Sequence, residues 1–164
     1  MQPFTQKYAI IQLLEDVAEG TEYLASNWPL HVTIVDVFAI DWDVLTMIEE
    51  LTKLLGHHQG ASSVATEDML FGPEKQTRVI LLEKTDSLVK LHYDVTQLLE
   101  QGGLKLNNPE FAKQGFLPHS TVQQHARLNK GDNVAFSALS IIDMFPDEDP
   151  YKRRVLKTIT ISGG

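Results

Sequence analysis

Two segments far apart in the chain repeat one pattern, Pro29-Leu30-His31-Val32-Thr33-Ile34 and Pro118-His119-Ser120-Thr121-Val122, with the two histidines 88 residues apart. In an extended strand successive side chains point to opposite faces, so His31 and Thr33 share one face while Val32 and Ile34 share the other. The second copy puts His119 and Thr121 together, with Val122 opposite and Ser120 as a polar intruder on the apolar side. A chain with two such strands side by side is expected to bury one face of each in a core. The other faces then place two imidazoles and two hydroxyls around one cleft.

Six histidines and twelve threonines scattered over 164 positions give roughly 0.4 His-x-Thr triplets by chance, so one copy alone carries nothing. Requiring a β-branched aliphatic residue next, as Ile34 and Val122 supply, lowers that expectation to about 0.1. Both copies also have a proline one or two residues upstream. The repetition is therefore the signal, and it points to an internal duplication.

The rest of the chain reads as strands around two helices. Tyr8 to Leu14 is a short apolar run of the kind a buried strand shows. Glu15 to Asn27, with Gly20 and no sustained period, reads as a connection with at most a helical turn around Thr21 to Ala25. A second strand runs from Leu30 to Phe38. A helix follows from an N-cap at Asp41 to Leu55, because Val44, Leu45, Ile48, Leu51, Leu54 and Leu55 recur at helical spacing and Gly56 closes the end. Ser62 to Phe71 and Thr77 to Glu83 read as a hairpin around Gly72-Pro73. A second helix starts near Thr85 or Asp86, carries Leu88, Leu91, Val95, Leu98 and Leu99 on one side, and stops at Gly102-Gly103. Strands are expected at Pro118 to Gln124, Val134 to Phe145 and Val155 to Ile161. More strands than helices in this order define an α+β fold with mainly antiparallel sheet, in one domain over residues 1–164.

Composition limits the function classes. Hydrophobic residues make up 43% of the sequence and charged ones 22%, which is globular in character. A net charge of -8 argues against attachment to duplex DNA or to anionic membrane, where basic patches dominate affinity. Without cysteine there is no thiol nucleophile, thiolate metal site or disulfide. Residues 1–7 lack the apolar core of a signal peptide and no stretch has the roughly 18 apolar residues of a membrane span. A cytoplasmic protein is expected.

Two histidines and two threonines suit phosphodiester cleavage without metal or other cofactor. A neutral imidazole takes a proton from the attacking oxygen and a protonated one gives a proton to the leaving oxygen. Imidazole titrates near neutral pH, so both forms are accessible. The threonine hydroxyls can donate to non-bridging phosphoryl oxygens, where charge builds up in the transition state.

On these two motifs, their separation and the order of elements, the chain resembles the two-histidine (2H) phosphoesterases. That family includes 2'-5' RNA ligase-like proteins and 2',3'-cyclic nucleotide phosphodiesterases. Phe116-Leu117-Pro118-His119-Ser120-Thr121-Val122 is similar to the family's second motif, in which an aromatic residue and a proline precede the histidine. The resemblance implies a bilobal, pseudo-twofold α+β fold with two antiparallel sheets around a central cleft and helices outside. It implies catalytic roles for His31 and His119 and phosphate contacts for Thr33 and Thr121. The implied partner is a small nucleotide or RNA end carrying a phosphodiester: a 2',3'-cyclic phosphate, a related small cyclic phosphate or a 2'-5' linkage. Gln123-Gln124 stand after the second motif, where some relatives carry a basic residue, and this leaves the substrate open. Two other readings follow from the same residues, a non-catalytic binder of nucleotides or RNA ends and an RNA 2'-5' ligase.

Other polar and aromatic residues are weaker candidates. Phe116 is a core residue or a platform for base stacking. Arg127 is the best placed of the basic residues Arg78, Arg127, Lys130, Arg153 and Arg154 to meet a phosphate, because it closely follows the second motif; Tyr8, on the first strand, is a further candidate for substrate contact. His57 and His58 are expected near the negative end of the first helix and, lacking a third ligand, do not read as a metal site. His92 reads as a boundary residue beside the apolar stripe of the second helix, and His125 as a strand-end residue without a role.

Overall fold

The computed structural model describes residues 6–162; the first five residues of the N-terminal segment read above and the last two glycines lie outside them. Among the described residues ten strands form two antiparallel sheets, and two α-helices pack on them. The strands are β1 (Tyr8–Leu13), β2 (Glu22–Leu24), β3 (His31–Ala39), β4 (Ala61–Phe71), β5 (Thr77–Leu82), β6 (Lys105–Leu106), β7 (His119–Thr121), β8 (Asn133–Phe136), β9 (Ala138–Asp143) and β10 (Lys152–Thr160). The helices are α1 (Val44–Leu55) and α2 (Asp86–Gln101). The six-stranded sheet has the order β2-β10-β9-β1-β3-β6 and the four-stranded sheet β7-β5-β4-β8. Each motif strand thus belongs to a different sheet.

Both helices form where the apolar period predicted them. Met47, Leu51 and Leu55 of α1 and Leu88, Leu91, Val95 and Leu99 of α2 are buried. They join Val32, Ile34 and Phe38 of β3, Phe136 of β8 and Leu139 and Ile141 of β9 in one large core. Burying each such side chain contributes about 1.5–3 kcal/mol relative to leaving it exposed. A smaller cluster, Ala9, Ile11, Ile142 and Val155, covers the other face of the six-stranded sheet and packs against Tyr23 and Trp28.

Several boundaries differ from expectation. The N-cap of α1 is Asp43, whose carboxylate accepts from the Thr46 amide at 2.8 Å, while Asp41 instead holds the Lys105 ammonium at 2.6 Å. The connection after β1 contains the edge strand β2, which pairs with β10. The last strand starts earlier, at Lys152. The apolar run from Val134 to Phe145 is two strands, β8 in the smaller sheet and β9 in the larger. The chain changes sheets at Ser137, where the buried Gln12 side chain accepts from the amides of Ser137 and Ala138 at 2.9 and 3.2 Å. Such a polar partner is needed because a buried amide without an acceptor costs about 1–3 kcal/mol. The second motif strand is also short, ending at Thr121.

Candidate active site

The two motif strands lie beside each other without pairing. β7 is an edge of the smaller sheet, and β3 pairs on its outer side with β6 through Phe38 and Ala39 alone, so its His31 end is open toward β7. Over each motif the alternation holds. Val32, Ile34 and Ser120 are buried, whereas His31, Thr33, His119 and Thr121 are half-buried on the opposite faces.

Around the histidines the two lobes repeat the same contacts. His31 pairs across the ladder with Leu13 and His119 with Leu81. The next amide of each partner strand, Leu14 and Leu82, donates to the carbonyl just before the histidine, that of Leu30 at 2.8 Å and of Pro118 at 2.9 Å. Each imidazole then turns back on its own chain: Nδ1 of His31 donates to the Pro29 carbonyl and Nδ1 of His119 to the Leu117 carbonyl, both at 2.8 Å. A carbonyl can only accept, so these bonds put the hydrogen on Nδ1 and leave Nε2 as the basic nitrogen of the neutral ring. No side chain or backbone group of the described residues is hydrogen-bonded to either Nε2. An aromatic ring braces each imidazole, Trp28 against His31 with centroids 4.7 Å apart and Phe71 edge-on to His119 at 4.8 Å.

Burial is the main influence holding the His31 pKa below the ordinary imidazole value; the Pro29 bond opposes it and the nearby His119 adds to it. The entry to β3 is pinned by Glu15, whose carboxylate accepts from the Leu30 amide and, at 2.6 Å, from Nε2 of His125. The Leu30 bond first, and His125 second, hold the Glu15 carboxyl below its usual range. His125 therefore ties the segment after the second motif to the start of the first.

The cleft beside these strands is a cavity of about 510 Å³. Thr33 and His119 reach its wall from the two lobes, joined by Phe71, Phe111, Phe116 and Leu117. Its charged groups are Asp36 and, on the β4–β5 turn, Lys75. His31 and Thr121 are not part of that wall; they flank it on the same strands. Phe116 is 5% exposed and stacks face to face on the buried His92, centroids 4.0 Å apart and planes 4° off parallel.

Two expected contacts fall elsewhere. The Arg127 guanidinium clasps Asp68, with Nη2 to Oδ1 at 2.6 Å and Nη1 to Oδ2 at 3.2 Å, and Nε donates to the Leu128 carbonyl. Tyr8 packs on Phe38 in the main core, where burial pushes its phenol up to about 12. Neither reaches the cleft wall, because the carboxylate of Asp68 and the aromatic core meet them first.

His92 is the residue whose placement is least like its expected boundary position. It is 2% exposed, donates from Nδ1 to the Ile34 carbonyl at 2.7 Å, and accepts at Nε2 from the Lys113 amide at 2.9 Å. It thereby joins the first motif strand to the loop that leads into the second. That loop is tight: a Cβ on Gly115 would lie 1.8 Å from the Glu110 carbonyl oxygen. His58 is also buried, between Asp94 and the Gly60 amide, each at 3.0 Å. Trp28 had a visible signal, since Trp28-Pro29 precedes the first histidine much as Phe116-Leu117-Pro118 precedes the second. Among the described residues no group of three or more His, Cys, Asp or Glu is arranged to hold a metal ion, and no helix is long and apolar enough to cross a membrane.

Two motif strands side by side in different sheets, two imidazoles with matching backbone anchors and an aromatic cleft define an α+β protein of two lobes that each carry one copy of the motif. A family model for the 2'-5' RNA ligase superfamily matches residues 3–145, and the chain belongs to that superfamily. Solved structures share the fold at low identity. A crystal structure described as a phosphoesterase has a TM-score of 0.54 and 15% identity, covering 95% of this chain and 98% of its own. E. coli LigT complexed with 3'-AMP has a TM-score of 0.56 and 15% identity over 95% and 98% of the two chains. The same protein complexed with NADP+ gives 0.54 and 14% over 95% and 97%. No curated protein matches the chain in sequence.

Proposed function

We propose that this chain is a metal-independent phosphodiesterase that opens a 2',3'-cyclic phosphate, or cleaves a related small cyclic phosphate or 2'-5' linkage, on a nucleotide or RNA end. The observation that carries the reading is the matched pair of anchored imidazoles, each held through Nδ1 with Nε2 left for chemistry. His31, kept neutral by its burial, takes the proton of the attacking water at Nε2. The water oxygen forms the new bond to phosphorus. His119 gives its Nε2 proton to the leaving ribose oxygen as that phosphorus–oxygen bond breaks, and a phosphomonoester results. Proton exchange with solvent restores both rings. Thr33 and Thr121 donate to the non-bridging oxygens as negative charge gathers there.

The aromatic cleft takes the nucleoside. Its volume is within the range of small-molecule sites, and Phe71 and Phe111 give it rings on which a base can stack, whereas Phe116 is committed to His92. The complex of E. coli LigT with 3'-AMP is in keeping with a mononucleotide in such a cleft.

Phosphorus NMR of 2',3'-cyclic nucleotides incubated with the protein and a chelator tests the proposal. The expected result is steady conversion of the cyclic signal to a monoester. Persistence of every cyclic nucleotide tried, while the same substrates bind, is the outcome of the non-catalytic alternative.

A further inference from the structure

We infer that Asp36 makes the cleft selective for guanine, an assignment that rests on the nucleotide site proposed above. The register of β3 against β1 explains why this carboxylate is on the wall at all. Ile11 pairs with Thr33 and Ile10 with Val35, then Tyr8 with Phe38. One step along β1 therefore spans two residues of β3, and the next two steps span three. Two extra residues fall between Thr33 and Phe38, and such bulges break the strict alternation and re-aim side chains. Asp36 lines the cavity as a result, although an unbroken alternation would put it on the face away from Thr33.

Asp36 is half-buried on this otherwise largely apolar wall. Its Oδ1 accepts from the Val37 amide at 2.8 Å, and Oδ2 has no protein partner among the described residues. A carboxylate at this place repels phosphate, so its favourable partner is a donor on the organic part of the substrate. It stands three residues beyond Thr33, at most about 10 Å along the strand. With the phosphate at Thr33 and His119, the far edge of a stacked base falls in this region.

Among the four common bases, guanine alone carries two adjacent N–H donors on its pairing edge, N1–H and the N2 amino group. That pair matches the two acceptor oxygens of an ionised carboxylate. Adenine and cytosine present one amino group beside a lone pair, and uracil a single N–H between two carbonyls; those acceptors meet the carboxylate unfavourably. A polar group built into an apolar pocket discriminates strongly because the wrong ligand leaves it buried and unpaired.

Calorimetric binding of 3'-GMP, 3'-IMP, 3'-AMP and 3'-UMP to the wild-type chain and to Asp36→Asn tests the inference without relying on turnover. Inosine lacks only the N2 amino group. An Asn can still accept from the Val37 amide, so the strand geometry is kept, and melting curves of the two proteins check this. The wild type is expected to bind 3'-GMP about 10- to 100-fold more tightly than 3'-IMP or 3'-UMP, the range for a hydrogen bond to a charged group. Asp36→Asn is expected to remove that preference while binding 3'-UMP no more weakly. Equal affinity for 3'-GMP and 3'-IMP, a preference for another base, or a guanine preference that survives in Asp36→Asn overturns the assignment alone. Binding of none of the four nucleotides overturns both it and the nucleotide site on which it rests.

Discussion

Nδ1 of His92 donates to the carbonyl of Ile34 at 2.7 Å, a bond between the middle of α2 and the strand that carries His31 and Thr33. The same ring accepts from the Lys113 amide and stacks on Phe116, so one buried imidazole touches the approaches to both motifs. His92→Ala leaves the Ile34 carbonyl and the Lys113 amide without this partner and opens a space under Phe116. Urea denaturation is expected to show a loss of about 2–4 kcal/mol, with His92→Gln recovering part of it. Loss of less than half a kcal/mol in the Ala variant contradicts the bridge.

The histidines also set a pH dependence of stability. Burial is the main cause that lowers the pKa of both His31 and His92 in the folded chain. In the unfolded chain both titrate near about 6.5. As pH falls below that value the unfolded state takes up protons that the folded state does not, so stability declines with falling pH. Above it neither state is protonated and this contribution is level. Urea midpoints measured from pH 8 down to pH 5.5 are expected to drop at the acid end, and more gently in His92→Gln. A wild-type midpoint that rises on acidification runs against the assignment.

Catalysis carries the same displacement. If His31 is the base, kcat/KM falls only when pH drops through its lowered pKa, so the acid limb lies below the ordinary imidazole value. A rate profile on a 2',3'-cyclic nucleotide is expected to retain most of its activity at pH 6.5. An acid limb already complete at that pH identifies another group as the base.

Ser120 sits inside the second motif at 1% exposure, and its hydroxyl has no hydrogen-bond partner among the described residues. A buried hydroxyl in that state is a cost rather than a support. Ser120→Ala is expected to raise the unfolding free energy by up to about 1 kcal/mol, read from the urea midpoint. A marked loss of stability shows that the hydroxyl has a partner.

The legible parts of this molecule are those written in local periodicity. The apolar rows of α1 and α2, the alternation around His31 and His119 and the hairpin of β4 and β5 all follow from neighbours within a few residues. What could not be read depends on distant partners. β2 is a strand because Glu22 to Leu24 find β10 more than a hundred residues later. The bulges that turn Asp36 into the cleft come from pairing with β1, and the sheet change at Ser137 rests on the side chain of Gln12. Arg127 followed the second motif closely in sequence, yet Asp68 from another strand claimed its guanidinium. His92 looked peripheral because its acceptor, Ile34, lies 58 residues away.

Turnover by the His31→Ala, His119→Ala double variant, compared with the wild type and each single variant on a 2',3'-cyclic nucleotide, tests the two-imidazole account most directly. Each single substitution is expected to lower kcat by about 10²–10⁴-fold, with the double variant at the background rate while its melting curve shows a folded chain. Turnover by the folded double variant at the wild-type rate contradicts the account.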